Sequence, residues 1–374
     1  FGGIPCTGSA QSFTISVNPS PVINYNQPTP QAVCSNSTTN SVTISSPTPN
    51  TTFNWSIPSV PTGISGLTVT SGTNSSTIPS FTLTNSTSVP ITINFVVNAT
   101  TSVGSCPGVS SIYSIVVNPS TNVAATNPVV VCNAGQVSNL TFTGTGTSYS
   151  WANDLPSIGL VAAGNNQINA FTALNATATV QTANIAVTPI YDGSGITCYG
   201  PVSNFTITVN PTPTVTPTND IPLCNSNVFA PLSFAGSATS YNWTNSNTAI
   251  GLLASGPNTL PSFTATNPSN TPINATISVT PTFVNAGVTC TGTQDQFVIT
   301  VNPTPIVNDP ADQVRCNQAQ TAAVNFTGTA TSYNWTNTTQ SIGLGSNNTG
   351  NIVPFTAINN TTSPIVATVE VTPI

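Results

Sequence analysis

A repeat of about 92 residues is the feature that most constrains what this chain can fold into. Each tryptophan closes a Tyr-x-Trp or Phe-x-Trp triplet, and the cysteines form two further series with nearly the same period. The tryptophans are Trp55, Trp151, Trp243 and Trp335; one cysteine series is Cys34, Cys132, Cys224 and Cys316, and the other is Cys6, Cys106, Cys198 and Cys290. Because each unit is long enough for its own hydrophobic core, the sequence predicts a tandem array of small domains.

A short apolar stretch ends each unit. Phe297-Val298-Ile299-Thr300-Val301 is followed by Asn302-Pro303, and similar copies start at Phe205, Phe13 and Tyr113. Large apolar residues at every second position are typical of a strand with one buried face. Proline then ends the strand, because it has no N–H for the ladder and pushes the preceding residue into extended geometry. We interpret each copy as the last strand of a domain, and we call the Asn-Pro junction that follows it the seam.

The seams set the predicted domain boundaries. Residues 1–20 are interpreted as the last strand of one repeat, and 21–119, 120–211 and 212–303 as complete repeats. Residues 304–374 are interpreted as a further repeat that stops before its last strand. We therefore expect the natural chain to continue in both directions.

The spacing of turn residues predicts the fold of each unit. About seven short strands fit a unit, and no stretch has helical periodicity, which is the pattern of a β-sandwich. The predicted fold class is all-β: tandem immunoglobulin-like sandwiches of about 92 residues in an elongated array.

The composition excludes several classes of function. Charged residues make up 2% of the chain, against about 25% in ordinary globular proteins, and the only basic residue is Arg315. Without a basic patch we expect no binding of nucleic acid or anionic lipid, and no apolar run is long enough for membrane insertion. The seven acids are scattered over different repeat positions and histidine is absent. Neither paired carboxylates nor an activated hydroxyl is expected, so we predict no enzymatic activity and no cofactor.

The eight cysteines are predicted to form structural disulfides in an oxidising, extracellular compartment. Zinc ligands need closely spaced pairs and a catalytic thiol needs a base, and the sequence offers neither. Bridges across the seams would join Cys6–Cys34, Cys106–Cys132, Cys198–Cys224 and Cys290–Cys316. Bridges within the repeats would join Cys34–Cys106, Cys132–Cys198 and Cys224–Cys290, with the partners of Cys6 and Cys316 outside this fragment.

Strand geometry favours the bridges within repeats. The second cysteine of each repeat precedes the last strand, and about nine residues of strand rise about 30 Å. The first cysteine of the next repeat is then expected at the far end of the domain, beyond the Cα separation of about 7 Å that a disulfide permits. The first cysteine of the same repeat is expected at the end where the repeat begins, which is also where its second cysteine lies.

Two further residue types were weighed as sites. The tryptophans could stack on sugar rings, but four copies in register favour core positions, as in immunoglobulin-like sandwiches. Asp220, Asp309 and Asp312 lie near seams, where a calcium ion could bind. Calcium takes six to eight oxygen ligands, usually including several carboxylates, so solvated turn residues are the favoured interpretation and no metal site is predicted.

The order of motifs in residues 212–303 resembles a known family. A cysteine is followed by Tyr-Asn-Trp-Thr-Asn, Ile-Gly-Leu, Pro-Ser-Phe-Thr-Ala, Ile-Ser-Val-Thr-Pro, Thr-Cys-Thr-Gly and Val-Asn-Pro-Thr-Pro. This order is similar to the PKD-like, immunoglobulin-like repeats of very large Bacteroidota surface proteins, above all the SprB-type gliding-motility adhesins. The Trp-Asp-x-Gly-Asp-Gly motif of true PKD domains is absent, and the first repeat has six extra residues between Trp55 and Phe81.

The resemblance implies a cell-surface function. Members of this family are exported by the type IX system and extend from the outer membrane as filaments, and they carry no catalytic residues to transfer to this chain. We therefore expect a stalk or filament region of an adhesin, with a surface polysaccharide or other extracellular ligand bound by regions outside this fragment. Two alternatives remain: a structural fibre or sheath in which neutral faces associate side by side, and a repeat module that binds polysaccharide through exposed aromatic residues.

Overall fold

The structure is a computed structural model that describes Gly3 and residues 5–374. The described residues form β-strands and contain no helix beyond three single 3₁₀ turns, namely Pro156–Ile158, Thr248–Ile250 and Gln340–Ile342. The predicted all-β fold class is therefore confirmed. The chain divides into two compact units, residues 1–175 with 180–209, and residues 176–179 with 210–374.

The first repeat of the first unit is a sandwich built on one long sheet. Its strands are β1 (Asn24–Tyr25), β2 (Gln31–Cys34), β3 (Ser37–Thr38), β4 (Val42–Ser45), β5 (Thr51–Ser56), β6 (Ile64–Ser65), β7 (Ser71–Gly72), β8 (Thr77–Ile78), β9 (Thr82–Asn85), β10 (Ile91–Thr101) and β11 (Ser111–Asn118). The main sheet has the order β2-β11-β10-β5-β7, and two smaller sheets have the orders β1-β4-β8 and β3-β9-β6. β10 pairs antiparallel with β5 and β11, whereas β2 runs parallel to β11.

The second repeat of the first unit keeps the same main sheet and has a longer hairpin, which in the first repeat is closed by the single β-bridge between Thr100 and Pro107. Its strands are β12 (Val129–Cys132), β13 (Gln136–Val137), β14 (Leu140–Thr141), β15 (Ser148–Asn153), β16 (Ala163–Asn165), β17 (Gln167–Ile168), β18 (Phe171–Thr172), β19 (Gln181–Gly193), β20 (Ile196–Tyr199) and β21 (Ser203–Asn210). The main sheet has the order β12-β21-β19-β15-β16, and β20 pairs with the end of β19. Two-stranded pairs β13-β18 and β14-β17 complete the repeat.

The second unit begins with a repeat of the same topology. Its strands are β22 (Ile221–Cys224), β23 (Val228–Phe229), β24 (Leu232–Ser233), β25 (Ser240–Asn245), β26 (Ser255–Pro257), β27 (Thr259–Leu260), β28 (Phe263–Thr264), β29 (Ile273–Asn285), β30 (Val288–Thr291) and β31 (Asp295–Asn302). The order is β22-β31-β29-β25-β26, with β30 on β29 and with β22 parallel to β31. The remaining strands, β32 (Tyr333–Asn337), β33 (Asn347–Thr349) and β34 (Val369–Pro373), form a sheet with the order β33-β32-β34.

Alternating apolar residues build a separate core in each repeat. In β31, Phe297, Ile299 and Val301 are at most 2% exposed. Phe297 and Ile299 pair with the equally buried Ile277 and Ala275 of β29. Burying one such side chain stabilises the folded state by roughly 1.5–3 kcal/mol. The face of each strand that carries an apolar residue at every second position therefore lies against the core. The hydrophobic clusters lie within residues 23–117, 123–209, 215–301 and 307–371.

One stretch differs from the predicted sandwich. Phe13–Val17 was expected to be a strand, but it is not one, and Phe13, Ile15 and Val17 are 84%, 78% and 89% exposed. In complete repeats this strand pairs with a neighbour on each side, and the described residues before it supply neither neighbour.

Residues 304–374 were predicted to stop before the last strand of their repeat. The described chain has no counterpart of β31 there, and the core cluster contains four buried residues, Phe326, Trp335, Leu344 and Ile352.

Candidate functional site

The candidate site is the seam between the first two repeats, where a disulfide joins them. Cys34 is the last residue of β2 and lies beside Asn118, because β2 runs parallel to β11 in that register. The amide N–H of Ser35 donates to the carbonyl oxygen of Asn118 at 3.0 Å. The first cysteine of the repeat therefore sits at the end of the sandwich where the chain leaves for the next repeat.

The partner cysteine comes from a hairpin of the second repeat. Cys198 lies in β20, opposite Tyr191 of β19, and its side chain is buried. The turn that joins the two strands, Gly193-Ser194-Gly195, is turned toward the seam, since Ser194 and Gly193 both contact Asn118. Cys34 and Cys198 form a disulfide with their Cα atoms 5.6 Å apart and a sequence separation of 164 residues. We call this bond the bridge.

The bridge corrects the predicted pairing. We expected Cys34–Cys106, Cys132–Cys198 and Cys224–Cys290, but Cys34 is bonded to Cys198, and Cys106 and Cys224 are free thiols, as are Cys6 and Cys316. Cys132 and Cys290 are also disulfide-bonded. The bridge crosses a seam, yet it joins cysteines that neither proposed pattern had paired.

The error has a single physical cause. The prediction took the first cysteine to stay at the end of the sandwich where the repeat begins. Since β2 is parallel to the last strand, it carries Cys34 to the opposite end of the domain, next to Asn118. The hairpin cysteine of the following repeat lies at the end of its own sandwich that faces the seam. The two cysteines therefore meet across the seam, with a Cα separation that a disulfide permits.

Asn118 is the second component of the seam. Its side chain is fully buried, and its Nδ2 donates to the carbonyl oxygen of Gly193 at 2.8 Å. Its Oδ1 accepts from Oγ of Ser194 at 3.0 Å, and its Nδ2 lies 3.8 Å from Sγ of Cys198. A buried amide needs such partners, because burying one without them costs about 1–3 kcal/mol. The amide therefore holds the hairpin turn of the second repeat against the end of the first.

The same contact recurs at other seams. In the second unit, Asn210 is fully buried and its Oδ1 accepts from Nδ2 of Asn285, in the corresponding hairpin turn, at 2.8 Å. Near the start of the chain, Nδ2 of the exposed Asn18 donates to the carbonyl oxygen of Val103 at 3.5 Å. The asparagine of the Asn-Pro motif thus contacts the next hairpin in three copies, most closely where it is buried.

A glycine two residues after the bridged cysteine allows the backbone to pass closely. A Cβ on Gly200 would collide with the carbonyl oxygen of Thr121, and Cβ atoms on Gly108 and Gly292 would meet the carbonyl oxygens of Pro21 and Pro213 in the same way. Thr121 is buried, and its Oγ1 donates to the carbonyl oxygen of Pro189 at 3.4 Å. The Cys-x-Gly motif therefore fits the start of each repeat against its own hairpin.

The predicted core tryptophans are all buried, with exposed fractions between 1% and 5%. Nε1 of Trp55, Trp151 and Trp243 donates to a backbone carbonyl oxygen at 2.9–3.0 Å, while Nε1 of Trp335 has no hydrogen-bond partner. None of these rings offers a face to a sugar.

Of the three aspartates near the seams, Asp220 accepts a backbone hydrogen bond. Oδ1 of Asp220 accepts from the N–H of Val298 at 2.7 Å, and Asp309 and Asp312 are exposed. Hydrogen bonds from Asn184 lower the pKa of the exposed Asp154. Among the described residues, no group of three or more acidic, histidine or cysteine side chains could hold a metal ion.

The surface around the seam is a hydroxyl and amide surface without charge. A shallow groove of about 100 Å³ runs beside the bridge, and another of about 300 Å³ lies between the loop 84–88 and residues Ser120, Asn122 and Thr145. The lining of the two grooves contains no carboxylate and no basic side chain, and Tyr199 lines the groove beside the bridge. This surface can position and join domains through hydroxyl and amide groups.

Sequence reasoning missed Asn118 as a site residue. The Asn-Pro dipeptide ended every copy of the last strand, but only the proline was given a physical role. The repetition of asparagine itself was the available signal.

No protein-family model and no curated protein matches the chain. Among solved structures it is similar to immunoglobulin domains 1–5 of Sidekick-1, with 11% identity over 91% of this chain and 74% of that one, and a TM-score of 0.24. It is similar to human CDH23 EC21-23, with 8% identity, coverage of 76% and 100%, and a TM-score of 0.36. The N-terminal eight Ig domains of Down Syndrome Cell Adhesion Molecule match with 10% identity over 92% of this chain and 44% of that chain, at a TM-score of 0.35. These similarities add no residue to the candidate site.

Proposed function

We propose that this chain is an extracellular stalk region of a repetitive adhesin, of the PKD-like type found in large Bacteroidota surface proteins. The observation that carries the proposal is the bridge between Cys34 and Cys198, which links successive repeats in addition to the peptide chain. Disulfides of this kind persist in oxidising compartments, which supports a location outside the cytoplasm.

A stiff joint is the property that a stalk needs. The first two repeats are connected by the peptide bond at Pro119, by the bridge and by the buried Asn118 amide. A single peptide connection leaves two domains free to rotate about it, whereas two covalent connections with a buried hydrogen bond between them restrict bending and rotation.

The finer parts of the proposal come from the family resemblance. They are export by the type IX system, a position on the outer face of the outer membrane, participation in gliding motility, and a polysaccharide or other extracellular ligand bound by other regions. The described residues contain no helix long and apolar enough to span a membrane.

The two alternatives fare differently. Polysaccharide binding through the repeat tryptophans loses its chemical basis, because those rings are buried. Side-by-side association into a fibre is still supported by the composition. Charged residues make up 2% of the chain, so there is little electrostatic repulsion to keep neighbouring copies apart.

The proposal is tested on cells and in solution. Antibodies raised against this chain should label intact cells of the source organism and reduce their attachment to surfaces. Labelling only after permeabilisation would overturn the extracellular assignment. Small-angle X-ray scattering of the purified, oxidised chain should give an elongated particle, and a compact one would exclude a stalk. Concentration-dependent growth of the particle cross-section would favour the fibre.

A further inference from the structure

We propose that tension applied to this chain passes through the bridge and bypasses the folded cores of the first two repeats. The proposal rests on the stalk function only for its biological purpose, because it follows from where the bridge lies in the chain. Cys34 comes after β1 and β2 alone, and Cys198 comes before the last strand, β21. Every other strand of the two repeats lies in the loop that the bridge closes.

The load path is correspondingly short. Tension entering at the start of the first repeat reaches Cys34, crosses to Cys198, and leaves along β21. The two bridged Cα atoms are 5.6 Å apart, whereas the 164 residues between them would span about 570 Å if pulled straight at about 3.5 Å per residue. Unfolding of either core therefore adds nothing to the distance between the two ends of this path.

The cores that the bypass protects are the ones that contain Trp55 and Trp151. Both lie inside the closed loop, far from the two cysteines in sequence. The segments left in the path are β1 and β2 before the bridge, and β20 with β21 after it. β2 pairs with β11, and β21 lies between β12 and β19. The two strands that bear the tension therefore belong to the main sheets.

The bridge can also stabilise the folded chain by restricting the unfolded state. That contribution changes the force at which a repeat opens, whereas the covalent path sets the length that is released on opening. The length gained under force therefore reports the load path itself and is independent of the stabilisation.

The experiment pulls on the full chain from two points that flank the bridge. Azide-bearing amino acids replace Val22 and Val202, which are 58% and 53% exposed, so DNA handles for optical tweezers are attached without touching any cysteine. With the bridge intact, the reach between the handles should stop at about 60 Å. Without it, the reach should be about 630 Å, about a tenfold increase.

Two arms remove the bridge independently. Dithiothreitol reduces it to two thiols and is itself oxidised to its cyclic disulfide. The double variant Cys34→Ser with Cys198→Ser should extend as far without any reductant, and this length is the same whether or not the variant folds. Cys106→Ser, which replaces a free thiol, is the matched control and should keep the short reach of the oxidised parent.

The same measurement identifies any other pairing. Bridges within the repeats would give a reach of about 160 Å, and a bridge between Cys106 and Cys132 would give about 540 Å. Either value, or a full reach in the oxidised chain, overturns the bypass. The proposed function fails separately, in the cell-labelling experiment, because the pulling experiment makes no use of cellular location.

Discussion

Replacing Asn118 tests how firmly the hairpin of one repeat is held to the repeat before it. In Asn118→Ala, the carbonyl oxygen of Gly193 loses its donor at 2.8 Å and Oγ of Ser194 loses its acceptor at 3.0 Å. Ser194 is exposed and can bind water instead, but the half-buried carbonyl cannot be solvated freely. An unsatisfied buried group costs about 1–3 kcal/mol, so we expect the local free energy of opening to fall by about 2 kcal/mol.

Hydrogen exchange measures this opening locally, which is necessary because a multidomain chain has no single free energy of unfolding. A fall of about 2 kcal/mol corresponds to roughly thirtyfold faster exchange in peptides that cover the hairpin turn at 193–195. The matched control is Asn18→Ala, which removes the same seam residue where it is exposed and makes one contact at 3.5 Å. Its peptides should change by less than about 0.5 kcal/mol. Equal, small effects of the two substitutions would refute the role given to the buried amide.

Three further outcomes follow from individual residues. Tyr113→Phe should raise the free energy of unfolding of the first repeat by about 1 kcal/mol in calorimetry, because the buried Tyr113 hydroxyl has no hydrogen-bond partner. Phe205 occupies the same position in the second repeat. A loss of stability would contradict this reasoning. Burial, with a smaller contribution from the neighbouring Tyr25, raises the pKa of Tyr113 to about 12. The unfolded chain therefore releases this proton first, and the stability of the first repeat should fall above about pH 10 in the parent and stay flatter in Tyr113→Phe, as followed by circular dichroism. Gly200→Ala should destabilise the second repeat by about 2 kcal/mol or more in thermal melts, because its Cβ meets the Thr121 carbonyl oxygen, whereas Gly8→Ala, with open space around it, should have no effect.

Much of the architecture could be predicted because it depends on periodicity. The spacing of tryptophans and cysteines indicated repeated domains, and alternation in stretches such as Phe297–Val301 indicated strands with one buried face. Both signals are local in sequence and are tied directly to burial, which is the largest favourable term in folding.

The seam could not be predicted in the same way. Alternation over the strand that ends at Cys34 is the same whether that strand runs parallel or antiparallel to its neighbour, so the pattern does not say at which end of the sandwich the cysteine lies. The partner of Asn118 is a turn 75 residues away, and its contact is made by backbone atoms that any sequence possesses. Phe13–Val17 shows that alternation alone does not make a strand. Its apolar alternation is clear, but the described chain supplies no neighbouring strands for it to pair with.

The central claim, a disulfide from the first repeat to the second, is tested most directly by peptide mapping without reduction. The chain contains no Lys and a single Arg, Arg315, so trypsin cannot separate Cys34 from Cys106 or Cys198. Pepsin at low pH is the suitable protease, because acid also suppresses thiol exchange. Mass spectrometry should find the peptide that contains Cys34 joined to the peptide that contains Cys198, and both should separate after reduction. A peptide in which Cys34 is joined to Cys106 would contradict the account.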